Sequence, residues 1–227
     1  MSFKILYVSA TIAESEALRK VRSIVIRNNK HYYGRSEIDL VVGGVGSMST
    51  AWAMKQWLSV NEKPDLAINA GIAGSYKDEY PVGDVLMPVS DCFADAGVED
   101  GDKFMTLHEA GLTNKDEFPF RNGIINAENN YCELMRIILK PVDAITVNMA
   151  TGSDTTRQRL IEKYDPDIET MEGAAFFYIC AMENIPFIAL RSVSNKVEIR
   201  NTYKWNIPVA LENLAIKLDE VFKILGR

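Results

Sequence analysis

Residues 38–69 read IDLVVGGVGSMSTAWAMKQWLSVNEKPDLAIN. The first five are rich in strand formers (Ile38, Val41 and Val42), a pattern that breaks at Gly43-Gly44-Val45-Gly46. Ser47 stands where an N-cap belongs and opens a helix reaching about Val60. Residues 65–69 return to a buried strand, closed by Gly71-Ile72-Ala73-Gly74. A strand, a helix and a second strand in that order argue a parallel sheet with helices on its faces.

The alternation continues in both directions. Upstream, residues 3–9 read as a strand and 12–27 as a helix. Downstream, strands are expected over 82–89, 144–149 and 187–193, and helices over 130–139 and 173–183. A short segment, 167–170, leads to Met171 and Glu172 just before a helix. The stretch 91–120 is polar, holds Gly97, Gly101 and Gly111, and reads as a long excursion or mobile loop. At the end, Ile207, Leu211, Leu214, Leu218, Val221 and Leu225 recur at spacings of three and four, one apolar stripe on a helix. No repeat, low-complexity tract or linker interrupts the pattern. The expected fold is a single α/β domain over residues 1–227, with a central mixed, largely parallel twisted sheet flanked by helices.

Composition narrows the function. The chain has 227 residues, 47% hydrophobic and 25% charged, enough for a full core and unlike a disordered chain. Its net charge of -6 disfavours a basic nucleic-acid-binding surface. Three cysteines without C-x-x-C spacing make no disulfide framework and suit a reducing cytoplasm. The two histidines, His31 and His108, are too far apart in sequence to argue a zinc site. The start has no long apolar run and meets Glu14 and Glu16 early, unlike a signal peptide. No apolar run approaches the ~20 residues of a membrane helix. The expectation is a cytoplasmic protein that binds neither membrane nor nucleic acid.

In such sheets, ligands bind outside the carboxyl ends of the strands. The residues placed there are Thr11 and Glu14, Gly46 and Ser47, Ala73 and Gly74, the run Thr151-Gly152-Ser153-Asp154, Met171 and Glu172, and Ser194 and Asn195. Each has a plainer reading. Thr11-Ile12-Ala13-Glu14 is a capping-box pattern. Glu172 suits a helix N-terminus as a dipole partner. Asn195 suits a turn, and Asp154 suits a cap. The run Gly44-Val45-Gly46-Ser47 lacks the third glycine and the ribose-binding acid of a dinucleotide fingerprint, which disfavours a nicotinamide cofactor.

Several stretches together resemble the purine nucleoside phosphorylase/nucleosidase superfamily, on its hydrolase side. They are residues 8–14, 41–47, 69–74, 82–85 (Val-Gly-Asp-Val), 150–154, 169–175 (Glu-Thr-Met-Glu-Gly-Ala-Ala) and 191–195 (Arg-Ser-Val-Ser-Asn), in family order. Within it, residues 191–208 look most like the futalosine hydrolases. In the related methylthioadenosine/S-adenosylhomocysteine nucleosidases an aspartate matches Asn195 and protonates adenine. An amide suits a 6-oxopurine instead, because its NH2 can donate to O6 or N7 of a departing hypoxanthine without giving up a proton.

The resemblance implies hydrolysis of the N-glycosidic bond of futalosine, a menaquinone-pathway nucleoside, to hypoxanthine and dehypoxanthine futalosine. It implies Glu14 as general base and Asn195 as the catalytic donor to the purine. Glu172 would hold the ribose hydroxyls and Met171 would pack under the sugar. Ser47 and Gly46 would position water, and Ala73, Gly74 and Ser194 would complete the substrate-binding residues. It implies no metal or organic cofactor, and a homodimer or larger homo-oligomer. The absence of arginine just after the first two strands disfavours phosphorolysis. The 5′ carboxylate of futalosine calls for a cation: Arg200, Lys204 or a residue of the 91–120 excursion. Two further readings stay open: a methylthioadenosine-type nucleosidase and a nucleoside-binding module without catalysis.

Overall fold

A computed structural model describes residues 2–27 and 30–226. Its strands are β1 (Lys4–Ser9), β2 (Ile24–Arg27), β3 (Lys30–Tyr33), β4 (Ser36–Val42), β5 (Leu66–Ser75), β6 (Val85–Asp91), β7 (Gly97–Asp100), β8 (Lys103–Thr106), β9 (Ile125–Asn126), β10 (Lys140–Thr146), β11 (Ile168–Thr170) and β12 (Phe187–Lys196). Its helices are α1 (Ile12–Arg19), α2 (Ser47–Val60), α3 (Asn130–Met135), α4 (Asp154–Tyr164), α5 (Gly173–Met182) and α6 (Ile207–Leu225).

One mixed sheet runs β11-β10-β6-β12-β5-β1-β4-β3-β2, with β9 added beside β6. The expected parallel centre is present: β1 pairs in parallel with β4 and β5, and β5 with β12. Antiparallel contacts join β12 to β6 and β11 to β5. Because β11 pairs with both β10 and β5, the strands β5, β12, β6, β10 and β11 close on themselves. That closure brings Glu169 beside Gly74.

Burial explains the assembly. Leu6, Ile68, Leu190, Phe176, Phe177, Leu214 and Leu218 are fully buried between sheet and helices. Each such side chain contributes roughly 1.5–3 kcal/mol over its exposed state. Along the α6 stripe, Leu214, Leu218 and Val221 are buried, while Ile207 and Leu211 face a cleft instead.

Several boundaries differ from the sequence reading. The helix expected over 12–27 stops at Arg19, and Ile24-Val25-Ile26 joins β3 as an antiparallel strand, the natural state for a β-branched run. The helix expected over 130–139 stops at Met135. The strand at 65–69 continues through its glycines to Ser75. The excursion is not a bare loop: β7 and β8 form an antiparallel hairpin within it. Asn195 lies inside β12, past a bulge at Val193/Asn195, not in a turn after it.

Candidate active site

A cleft of about 420 Å³ opens at the carboxyl ends of the central strands. Glu14, Ala73, Gly74, Met171, Glu172, Ser194 and Asn195 all line it. Gly46 and Ser47 stand just behind. The Gly46 N–H donates to Glu172 Oε1 at 2.8 Å, and Ser47 Oγ lies 3.4 Å from the Met171 carbonyl.

Glu14 lines the cleft and also closes the capping box that the sequence suggests. Its Oε2 accepts from the N–H and the hydroxyl of Thr11, each at 2.9 Å, closing the capping box on α1. Its Oε1 accepts the Ile72 N–H at 3.0 Å. Glycine at position 71 leaves room for it, since a Cβ there would lie 2.5 Å from Oε1 and the carboxylate would have to move.

Glu172 is the N-cap of α5 but makes no side-chain cap. Thr170 Oγ1 and Thr146 Oγ1 take the Gly173 and Ala174 N–H groups instead. That leaves Glu172 free to cross to Gly46. Burial pushes its carboxyl above the usual carboxylate range, while the Gly46 N–H and the Arg191 guanidinium pull the other way.

Asn195 has a fixed amide. Ser194 Oγ donates to Oδ1 at 2.8 Å, and Nδ2 donates to the Lys196 carbonyl at 2.9 Å. A carbonyl can only accept, so nitrogen must face Lys196, and its second N–H is left for a ligand. Asn195 and Glu14 meet β5 at Gly74 and Ile72. Two residues of strand, roughly 6.6 Å, separate those points.

Sequence reasoning passed over three buried groups. Arg191 is fully buried beneath the cleft and donates to the Asn69 and Leu190 carbonyls and to Asn69 Oδ1. Asp91 accepts from Thr146 Oγ1 at 2.9 Å, and its other oxygen has no partner. Burial pushes it up to about 7, against Thr146 and Arg191. Glu169 lines the cleft and takes hydrogen bonds from Tyr76 and Thr151. At the rim, the Arg200 guanidinium stands 5.0 Å over the ring of Trp205, which also lines the cleft.

With this geometry, the sequence model of the phosphorylase superfamily matches residues 9–223. The chain belongs to this superfamily. Among characterised members it is similar to the futalosine hydrolase of Streptomyces coelicolor, 28% identical over 197 residues, covering 82% of this chain and 79% of that one. It is similar to the 5′-methylthioadenosine/S-adenosylhomocysteine nucleosidase of Buchnera aphidicola subsp. Schizaphis graminum, 26% identical over 234 residues, covering 94% and 93%. The native futalosine hydrolase structure of Helicobacter pylori superimposes with a TM-score of 0.77 at 16% identity, covering 100% of this chain and 98% of that one. At that identity the superposition carries the superfamily fold alone.

Proposed function

We propose that this chain hydrolyses the N-glycosidic bond of futalosine and releases hypoxanthine. The observation that carries the reading is the Asn195 amide, held in the cleft lining by Ser194 and Lys196 with one N–H left over for a base. The relatives named as futalosine hydrolases support the same substrate.

In this reading Glu14 takes a proton from water as the water oxygen bonds to C1′. The C1′–N9 bond breaks through an oxocarbenium-like state, and its electron pair leaves with the purine. Asn195 donates to O6 or N7 as that negative charge develops. Such a donor is worth about 2.7–4 kcal/mol by analogy with oxyanion holes. Glu172 accepts from the ribose hydroxyls, and Met171 lies under the sugar. Gly46 positions Glu172, and Ser47 holds the Met171 main chain rather than water. Arg200, stacked on Trp205, meets the 5′ carboxylate, whereas Lys204 is already paired with Glu198. The lining of the cleft includes no arginine among the described residues, which favours water over phosphate as the nucleophile.

Two wider features belong to the same proposal. Ile12, Val45, Met48 and Trp52 are exposed at the starts of α1 and α2, and a second copy of the chain would cover them. Three free, buried cysteines fit a reducing cytoplasm.

The test is chromatography of free base after incubation with futalosine, inosine and methylthioadenosine, with and without phosphate. Hypoxanthine from futalosine, independent of phosphate, is the expected result. Adenine from methylthioadenosine at an equal rate would favour the nucleosidase reading, which the Buchnera relative represents.

A further inference from the structure

Glu169 and Asn195 are both register partners of Gly74, one on β11 and one on β12. Their backbones therefore stand two strand spacings apart, roughly 9.5 Å, with Gly74 between them. Paired residues share a face of the sheet, and all three line the cleft. This span fits a purine edge with a hydrogen bond of about 2.9 Å at each end.

The two ends have opposite character. At Asn195 one N–H of Nδ2 is left after the bond to Lys196. At Glu169 every nearby donor is consumed. Tyr76 Oη donates to Oε2 at 2.7 Å, the Thr151 hydroxyl donates to the same oxygen, and the Thr151 N–H donates to Oε1 at 2.9 Å. What remains for a ligand is acceptor capacity alone: a lone pair on Oε1 and the lone pairs of Thr151 Oγ1. Glu169 is buried, so water does not blur this polarity.

We infer that Glu169, acting with Thr151, selects the 6-oxopurine tautomer by accepting its N1–H, opposite the donor at Asn195. The inference rests on the 6-oxopurine reading above and adds the residue that enforces it. A 6-oxopurine presents acceptors at O6 and N7 and a donor at N1, which matches both ends. A 6-aminopurine presents an acceptor at N1, so lone pairs face lone pairs on the Glu169 side.

The test compares kcat/KM for futalosine and for its 6-amino counterpart in the wild type and in Glu169→Gln, Thr151→Val and Thr151→Ser. In Glu169→Gln the new NH2 cannot face the Thr151 N–H, so it takes the Oε2 position. There it donates to the Thr151 hydroxyl, which turns its own proton toward the base. The ratio of 6-oxo to 6-amino kcat/KM should then fall about 10- to 100-fold, and the KM for the 6-amino substrate should drop. Thr151→Val should lower the ratio as well, and Thr151→Ser should restore it. A ratio taken within one variant is independent of how much of it folds. A wild type that prefers the 6-oxo substrate, with the same ratio in Glu169→Gln and Thr151→Val, overturns the role of Glu169 and leaves the proposed function standing. A wild type that prefers the 6-amino substrate overturns the proposed function and this inference with it.

Discussion

Glu14 Oε1 accepts the Ile72 main-chain N–H at 3.0 Å, so the acid that caps α1 is also tied to the strand flooring the cleft. Capping and catalysis are therefore not rival explanations of this residue. The cap fixes the carboxylate where the proposed base must stand.

Glu14→Gln keeps an acceptor for one of these N–H groups but loses the base. The hydrolysis rate should fall about 10²–10⁴-fold, while thermal unfolding shifts little. Glu14→Ala should lose in addition about 1 kcal/mol of capping. Steady-state kinetics and a melting curve on both variants separate the two contributions. A Glu14→Gln enzyme with wild-type kcat would remove Glu14 from the chemistry.

Gly71→Ala probes the same carboxylate from the other side. A Cβ at 2.5 Å from Oε1 must displace it. The expected outcome is a loss of kcat of tenfold or more in a folded protein. Circular dichroism and the rate assay on one sample check it.

These two residues also mark how far the sequence can be read. Thr11-x-x-Glu14 and Gly43–Gly46 are local patterns, and they placed the ends of β1 and β4 at the cleft, whereas β5 runs on through its glycines to Ser75. The end of α1 was not legible, because Leu18, Val21 and Val25 keep helical spacing after the chain has turned at Lys20. Glu169 was hidden for another reason. Its neighbours Gly74, Tyr76 and Thr151 come from distant segments, joined only when β11 closes against β5. Asn195 looked like a turn residue because a bulge in β12 cannot be seen in a one-dimensional pattern.

Burial raises the Glu172 carboxyl above its ordinary range. In the proposed mechanism Glu172 accepts from both ribose hydroxyls in its ionised form. The acid limb of kcat/KM should therefore lie above the ordinary glutamate value of about 4.3. Removing the Gly46 N–H is impossible without proline, but Glu172→Gln should raise KM and flatten that limb. A pH profile of each enzyme is the check.

Asp91 gives a stability test with a definite sign. Its folded pKa is about 7, against an ordinary value of 3.8, because it is buried. The folded state thus holds a proton that the unfolded state has released between about pH 4 and pH 7. Stability should fall as pH rises through that window and stay level above it. Asp91→Asn cannot titrate, so its unfolding free energy relative to wild type should climb with pH, by a quantity on the order of 4 kcal/mol at most. Urea unfolding at pH 5, 6, 7 and 8 measures it. A difference between the two proteins that does not change with pH would show Asp91 to be ionised throughout.

The exposed pair Met48 and Trp52 sits one helical turn apart on α2. Replacing both with glutamate should shift the protein from dimer to monomer in light scattering. Wild type that already runs as a monomer at micromolar concentration would contradict the proposed assembly.

The most direct measurement is mass spectrometry of the products from futalosine in ¹⁸O-labelled water without phosphate. The account predicts hypoxanthine together with one labelled oxygen at C1′ of the sugar product, and loss of both in Glu14→Gln. Base release that requires phosphate, or release of adenine from methylthioadenosine with futalosine left intact, would contradict it.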